Sequence, residues 1–258
     1  MLWGEQSWRK VAAADKDAVV ILPIGSCEQH GDHLPVLTDT MLVSGVADRV
    51  RAELPAERFL WLPTLWLGCS EHHRAMPGTV SLPADLYIAV LERVLEGFVA
   101  DGFSRIVLLN GHGGNVVPGS QALYNVCQRH NRPDLWIVLC TYWIAGAQGI
   151  ASLEVMETPR LTHACEYETS MMLTLRPDLV DMAKAKGGLR DFPSDWYHPS
   201  SPGISRVTAA RGFHQMSTNG AMGDPSLATA PKGEALLTAI TPEIVGFLTE
   251  FAAWPPLG

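Results

Sequence analysis

The 258-residue chain is short of basic charge: 19 Lys and Arg against 27 Asp and Glu leave a formal net charge of −8. A nucleic-acid backbone or an anionic membrane requires a basic face, so neither is expected as a partner. No uninterrupted apolar run approaches the ~20 residues that a membrane span needs. The five cysteines (Cys27, Cys69, Cys127, Cys140 and Cys165) are odd in number and have no Cys-x-x-Cys spacing. That argues against a disulfide framework or a structural zinc knot and favours a reducing compartment. Glu5, Arg9 and Lys10 precede any apolar run, so no secretory leader is expected and the sequence reads as cytoplasmic.

Material for a core is plentiful. Hydrophobic residues make up 47% of the chain and charged ones 18%, inside the ordinary globular range, which excludes disorder as the main state. A chain of this length should bury ~75% of its unfolded surface without staples. No repeat, low-complexity tract or linker divides it, so one domain over residues 1–258 is expected.

Short apolar runs alternate with helical segments. Ala18–Ile24, Phe59–Leu62, Arg105–Leu109 and Leu135–Leu139 read as strands, while Thr40–Leu54, Asp85–Val99, Gly119–His130 and Pro231–Phe251 have helical spacing. Continuous apolar strands separated by helices indicate an α/β fold with a mostly parallel sheet covered on both faces. Ligands collect beyond the carboxyl ends of such strands, so the residues after Ile24 and after Leu109 should line one cleft. From Lys184 to Asp224 no clean period survives. That stretch reads as a surface excursion, a substrate lid or an oligomer contact.

Three polar clusters carry the chemistry. The first runs from Glu28 through His30 to Asp39. Side chains two apart in an extended segment share a face, so Glu28 and His30 can enter one site. Carboxylate beside imidazole suits Zn²⁺, Mn²⁺ or Fe²⁺, and a carboxylate such as Asp39 can bridge two ions. Alternatively, this is a polar loop with Asp39 as a helix N-cap. The second cluster is His112 within Gly111-His-Gly-Gly-Asn115, a ligand or a turn histidine. A phosphate-cradling loop is a poor match, because neither glycine fingerprint of nucleotide sites is satisfied. The third, His163-Ala-Cys-Glu166-Tyr-Glu168, offers a further ligand and an acid or base, or simply a charged helix start.

These segments resemble the creatininase family of amidohydrolases. The resemblance rests on Leu22–Pro35 with Asp39, on Asn110–Asn115, on Pro77-Gly-Thr79, on His163–Ser170, and on Gly223-Asp-Pro225 with Lys232-Gly-Glu234. It implies a three-layer α/β/α fold, assembly as a homo-hexamer, a small-molecule substrate and two divalent metal ions per chain (Zn, Mn or Fe). By position, Glu28 and His112 would hold one ion and His30 and Glu168 the other, with Asp39 bridging. His163 stands where the family places a proton-transferring histidine, with Glu166 as a second acid or base. Ser70, His73, Gly113, Gly114 and Trp143 fall at or near positions resembling substrate contacts.

Two departures bear on the substrate. True creatininases have a glutamate at the position of Gly114 and a substrate-covering tryptophan at the position of Pro159. Creatinine is therefore not the expected substrate, and the pocket is expected to be more open near the metals. The resemblance leaves several activities: hydrolysis of a cyclic amide or formamide, trimming of a peptide in mycofactocin-type cofactor maturation, ring opening of a cyclic ketone, or metal binding without catalysis.

Overall fold

The structure is a computed structural model, and it describes residues 1–197 and 205–257. Four parallel strands form its sheet in the order β2-β1-β3-β4: β1 Val19–Ile24, β2 Phe59–Trp61, β3 Arg105–Asn110 and β4 Trp136–Thr141. All six residues of β1 are buried, as expected for a strand with a neighbour on each side and helices above and below. Pro23 is tolerated in this central strand because β2 has already ended at Trp61, opposite Ile21. The Pro23 carbonyl accepts from Leu65 N at 2.9 Å on the side β2 has left, so no ladder donor is lost there.

Successive strand residues face opposite layers. Val19, Ile21, Val107, Leu109 and Cys140 pack with α1 (Thr38–Glu53), α4 (Glu166–Leu175) and α6 (Ala230–Phe251). Val20, Leu22, Ile24, Leu60, Ile106, Leu108 and Ile137 pack with α2 (Ala84–Ala100) and α3 (Val116–His130). The result is the expected three-layer α/β/α arrangement. Helix α1 begins two residues earlier than the periodicity suggests, which puts Asp39 in the first helical turn and Leu37, not Asp39, at the cap. Between Lys184 and Asp224 the described residues form only short elements, including α5 (Phe213–Met216); residues 198–204 lie outside the described residues. Among the described residues, no helix is long and apolar enough to cross a membrane.

Candidate metal centre

The carboxyl ends of β1 and β3 are locked together by two asparagines. Asn110 Nδ2 donates to the His112 carbonyl (2.8 Å) and to Thr141 Oγ1 (3.1 Å), while Asn110 Oδ1 accepts from His112 N (3.0 Å). Asn115 Nδ2 donates to the Gly25 carbonyl (2.9 Å), and its Oδ1 accepts from Cys69 N (3.0 Å). These bonds fix the two strand-end loops and the 69–73 turn relative to one another. Ala164 is buried with φ at 50°, unusual for a residue with a Cβ. Its amide donates to Glu168 Oε2 at 2.6 Å, so the turn that presents His163 also orients Glu168.

The three sequence clusters meet here. His30 Nε2 lies 3.0 Å from Asp39 Oδ1 and 3.9 Å from Glu168 Oε2. His112 Nδ1 lies 2.8 Å from Asp39 Oδ2, and its Nε2 is 3.2 Å from Glu28 Oε2. Asp39 thus turns one oxygen to each histidine. Ser26 Oγ donates to Asp39 Oδ2 at 2.8 Å and steadies the carboxylate. His163 Nδ1 is 3.6 Å from Glu28 Oε1.

Burial and charge act against each other in this pocket. Burial raises Glu28 to about 7 despite His112 nearby, and raises Glu168 to about 8. Burial opposes protonation of His30, but the Asp39 and Glu168 carboxylates outweigh it and raise the group to about 10. His112 is raised to about 9, with Glu28 and Asp39 again overcoming burial. Asp39 is held well below the usual carboxylate range, because both histidines overcome its burial. Burial, reinforced by His30, pushes His163 down.

The residues present fit divalent cations. Glu28 Oε2 and His30 Nε2 are buried polar atoms with no hydrogen-bond partner, a costly condition that an ion relieves. Three sets among the described residues, Glu28 with His72 and His112, Glu28 with His30 and His163, and His30 with Asp39 and Glu168, each bring ligand atoms within 4.8 Å of one another. Three carboxylates with imidazoles form a donor set suited to Zn²⁺, Mn²⁺ or Fe²⁺.

Other expected site residues are placed as follows. Ser70 Oγ is 3.1 Å from His112 Nε2, so it touches a ligand-type side chain. His73 Nε2 is 3.3 Å from Glu28 Oε1, and its Nδ1 is 2.8 Å from Gln29 Nε2. Gly113 faces open space. The expected opening at Gly114 is corrected: a Cβ there would stand 2.4 Å from His112 Nε2 and 2.3 Å from the Cys69 carbonyl oxygen, so the space is filled. Trp143 packs edge-on against Tyr142 and lines an apolar hollow of about 420 Å³ together with Pro159. Glu166 is drawn away from proton chemistry: its oxygens accept from Lys232 Nζ, from Thr158 Oγ1 and from the amides of Glu157 and Thr158.

Sequence reasoning missed four participants. His72 stacks on His112, and Gln29 reaches His73, His163 (3.0 Å) and the Gly220 carbonyl (3.3 Å). His33 Nε2 meets Thr169 Oγ1 at 2.8 Å. Phe213, on α5, covers His73 with 3.8 Å between ring centroids and His163 with 4.7 Å. The doubled histidine before Pro77 was a usable signal for His72. Phe213 had none, since nothing local distinguishes it from any other loop aromatic.

A model of the family described as "Creatininase: Creatinine amidohydrolase" matches residues 4–248. The chain is 32% identical over 244 residues to a mycofactocin precursor peptide peptidase of Mycolicibacterium smegmatis, covering 92% of this chain and 86% of that protein. It is 28% identical over 267 residues to the creatinine amidohydrolase of Pseudomonas putida, covering 98% and 97%. It is 30% identical over 259 residues to a 3-dehydro-scyllo-inosose hydrolase of Thermotoga maritima, covering 91% and 79%. A solved structure of creatininase with Mn superposes with a TM-score of 0.78 at 26% identity, covering 96% of this chain and 97% of that one.

Proposed function

The chain belongs to the creatininase family and is a hydrolase of that family; from this premise we propose that it is a dinuclear amidohydrolase that cleaves a C–N bond of a cyclic amide or formamide other than creatinine. The observation that supports this most is the buried meeting of Glu28, His30, Asp39, His112 and Glu168, with Glu28 Oε2 and His30 Nε2 making no hydrogen bond despite the charged groups beside them. Glu28 and His112 would hold one divalent ion, His30 and Glu168 the other, and Asp39 would serve both through its two oxygens. When bound, such ions supply Lewis acidity to a carbonyl oxygen and lower the pKa of water toward neutrality.

The protein's own groups do the rest. His163, kept neutral by burial, takes up and returns the proton that must reach the leaving nitrogen. With Glu166 committed to Lys232, no second acid is assigned that task. Phe213 supplies a flat apolar cover over His73 and His163, shielding that side of the site from water. A second reading, a peptidase of cofactor maturation, draws its support from the 32% identity to the mycobacterial peptidase. In the amidohydrolase reading the substrate is a small molecule, the location cytoplasmic, and the assembly a homo-hexamer.

Elemental analysis of the native protein, then a screen of lactams, formamides, short peptides, cyclic ketones and creatinine with Zn²⁺, Mn²⁺ or Fe²⁺ restored, tests the proposal. Turnover of a lactam or formamide orders of magnitude above creatinine is expected. Preferred cleavage of a peptide would establish the second reading instead. Two bound ions with no hydrolysis anywhere in the panel would indicate a metal-binding member without catalysis.

A further inference from the structure

A side chain at Gly114 would meet not only the Cys69 carbonyl and His112 but also His72, whose Cε1 would be 2.7 Å from the added Cβ. The His72 ring occupies that space, parallel to His112 within 8° and with 5.7 Å between centroids. We infer that His72 is a further protein ligand of the ion that Glu28 and His112 would hold and Asp39 would share, an inference that rests on the reading of this cluster as a dinuclear centre. A ring nitrogen of His72, one of His112 and an oxygen of Glu28 all lie within 4.8 Å of one another. Metal–ligand bonds of ~2.0–2.2 Å put two ligands of one ion at most ~4.4 Å apart, so this set closes on one ion with no more than a small side-chain shift.

The adjacent histidine is committed elsewhere. His73 Nε2 engages Glu28 Oε1 and its Nδ1 engages Gln29, so His73 positions the carboxylate rather than adding a ligand. That contact leaves Glu28 Oε2, 3.2 Å from His112 Nε2 and without a hydrogen bond, to face an ion. Phe213 lies 5.4 Å from the His72 ring and limits its escape toward solvent. Glycine at 114 is therefore the condition for His72 to enter: any larger residue displaces it. With His72 added, two imidazoles and the Glu28 and Asp39 carboxylates would surround this ion, against one imidazole and two carboxylates on the His30 side, and the extra nitrogen favours Zn²⁺ over the harder Mn²⁺.

The test is Zn²⁺ titration of the stripped full-length protein by calorimetry, with metal content read by mass spectrometry. His72→Phe keeps a ring against His112 but removes both nitrogens, His72→Ala removes the ring, and His72→Glu returns an oxygen ligand. Wild-type protein should bind two ions. His72→Phe and His72→Ala should retain one tightly and weaken the other by more than the ~10–100-fold that losing an outer partner costs, and His72→Glu should recover most of that loss. His72→Phe holding both ions at wild-type affinity, while His112→Ala loses one, would show that the ring only packs and would overturn the inference. A wild-type chain that binds no Zn²⁺ would remove the dinuclear reading itself, a distinguishable result.

Discussion

His163 Nδ1 stands 3.6 Å from Glu28 Oε1, while its Nε2 lies 2.9 Å from the backbone carbonyl of Gln29. The ring is thus anchored by the main chain next to the cluster, whereas His112 is embedded in it, facing Asp39 on one side and Glu28 on the other. His112→Ala should lose metal and activity together. His163→Ala should keep close to two ions per chain and lose ~10²–10⁴-fold in turnover, the usual range for acid–base assistance. Metal content and kcat measured on the same preparations separate the roles; an emptied site in His163→Ala would make His163 a ligand.

Metal removal should loosen the fold. Glu28, Asp39 and Glu168 crowd three carboxylates into one buried space, and two divalent ions would take the formal charge from −8 to about −4. Ions that bind only the folded chain stabilise it by about 4 kcal/mol at a thousandfold excess over Kd. Rigorous chelation should therefore lower Tm by on the order of 10 °C, and an unchanged Tm by calorimetry would count against it.

Lys232 joins α6 to the start of α4 through fully buried Glu166. Lys232→Met leaves that carboxylate without its cation and should cost ~3–5 kcal/mol, as for other broken buried pairs. Glu157, the exposed partner of the same ammonium, is different: Glu157→Gln should cost no more than ~1 kcal/mol. Urea unfolding of the two variants compares them directly.

Helices α4 and α6 touch backbone to backbone at Gly233. A Cβ there would come within 1.9 Å of the Ser170 carbonyl oxygen and 2.4 Å of Thr174 Oγ1. Backbone cannot yield as a side chain does, so Gly233→Ala should cost at least the ~1–3 kcal/mol typical of overpacking. Because α4 carries Glu168, weakened metal binding should accompany the loss, measurable by the same titration.

Much of this architecture is legible locally. The strands announce themselves as unbroken apolar runs, and a parallel sheet gathers the residues that follow Ile24 and Leu109 into one cleft. Glu28, His30 and His112 are found there because their order along the chain already places them at strand ends. What depends on distant partners was hidden. Glu166 looked like an acid poised at a helix start, but its meaning is set by Lys232, 66 residues further on. Gly114 looked like vacated space because the sequence does not say that His72 turns into it. Phe213 reaches the cluster only through the course of the loop that carries it.

The all-parallel order β2-β1-β3-β4 has a kinetic consequence. Each strand pairing requires a crossover to close, and the cluster draws side chains from the 28–39, 112 and 163–168 stretches, so it cannot assemble until distant parts of the chain have met. Contacts that form after the rate-limiting step slow unfolding without speeding folding. Added Zn²⁺ should therefore lengthen the lifetime of the native chain in denaturant while leaving the refolding rate of the stripped protein nearly unchanged, a difference that stopped-flow fluorescence of its eight tryptophans can read. The ions would act as a latch on a finished structure and not as its template.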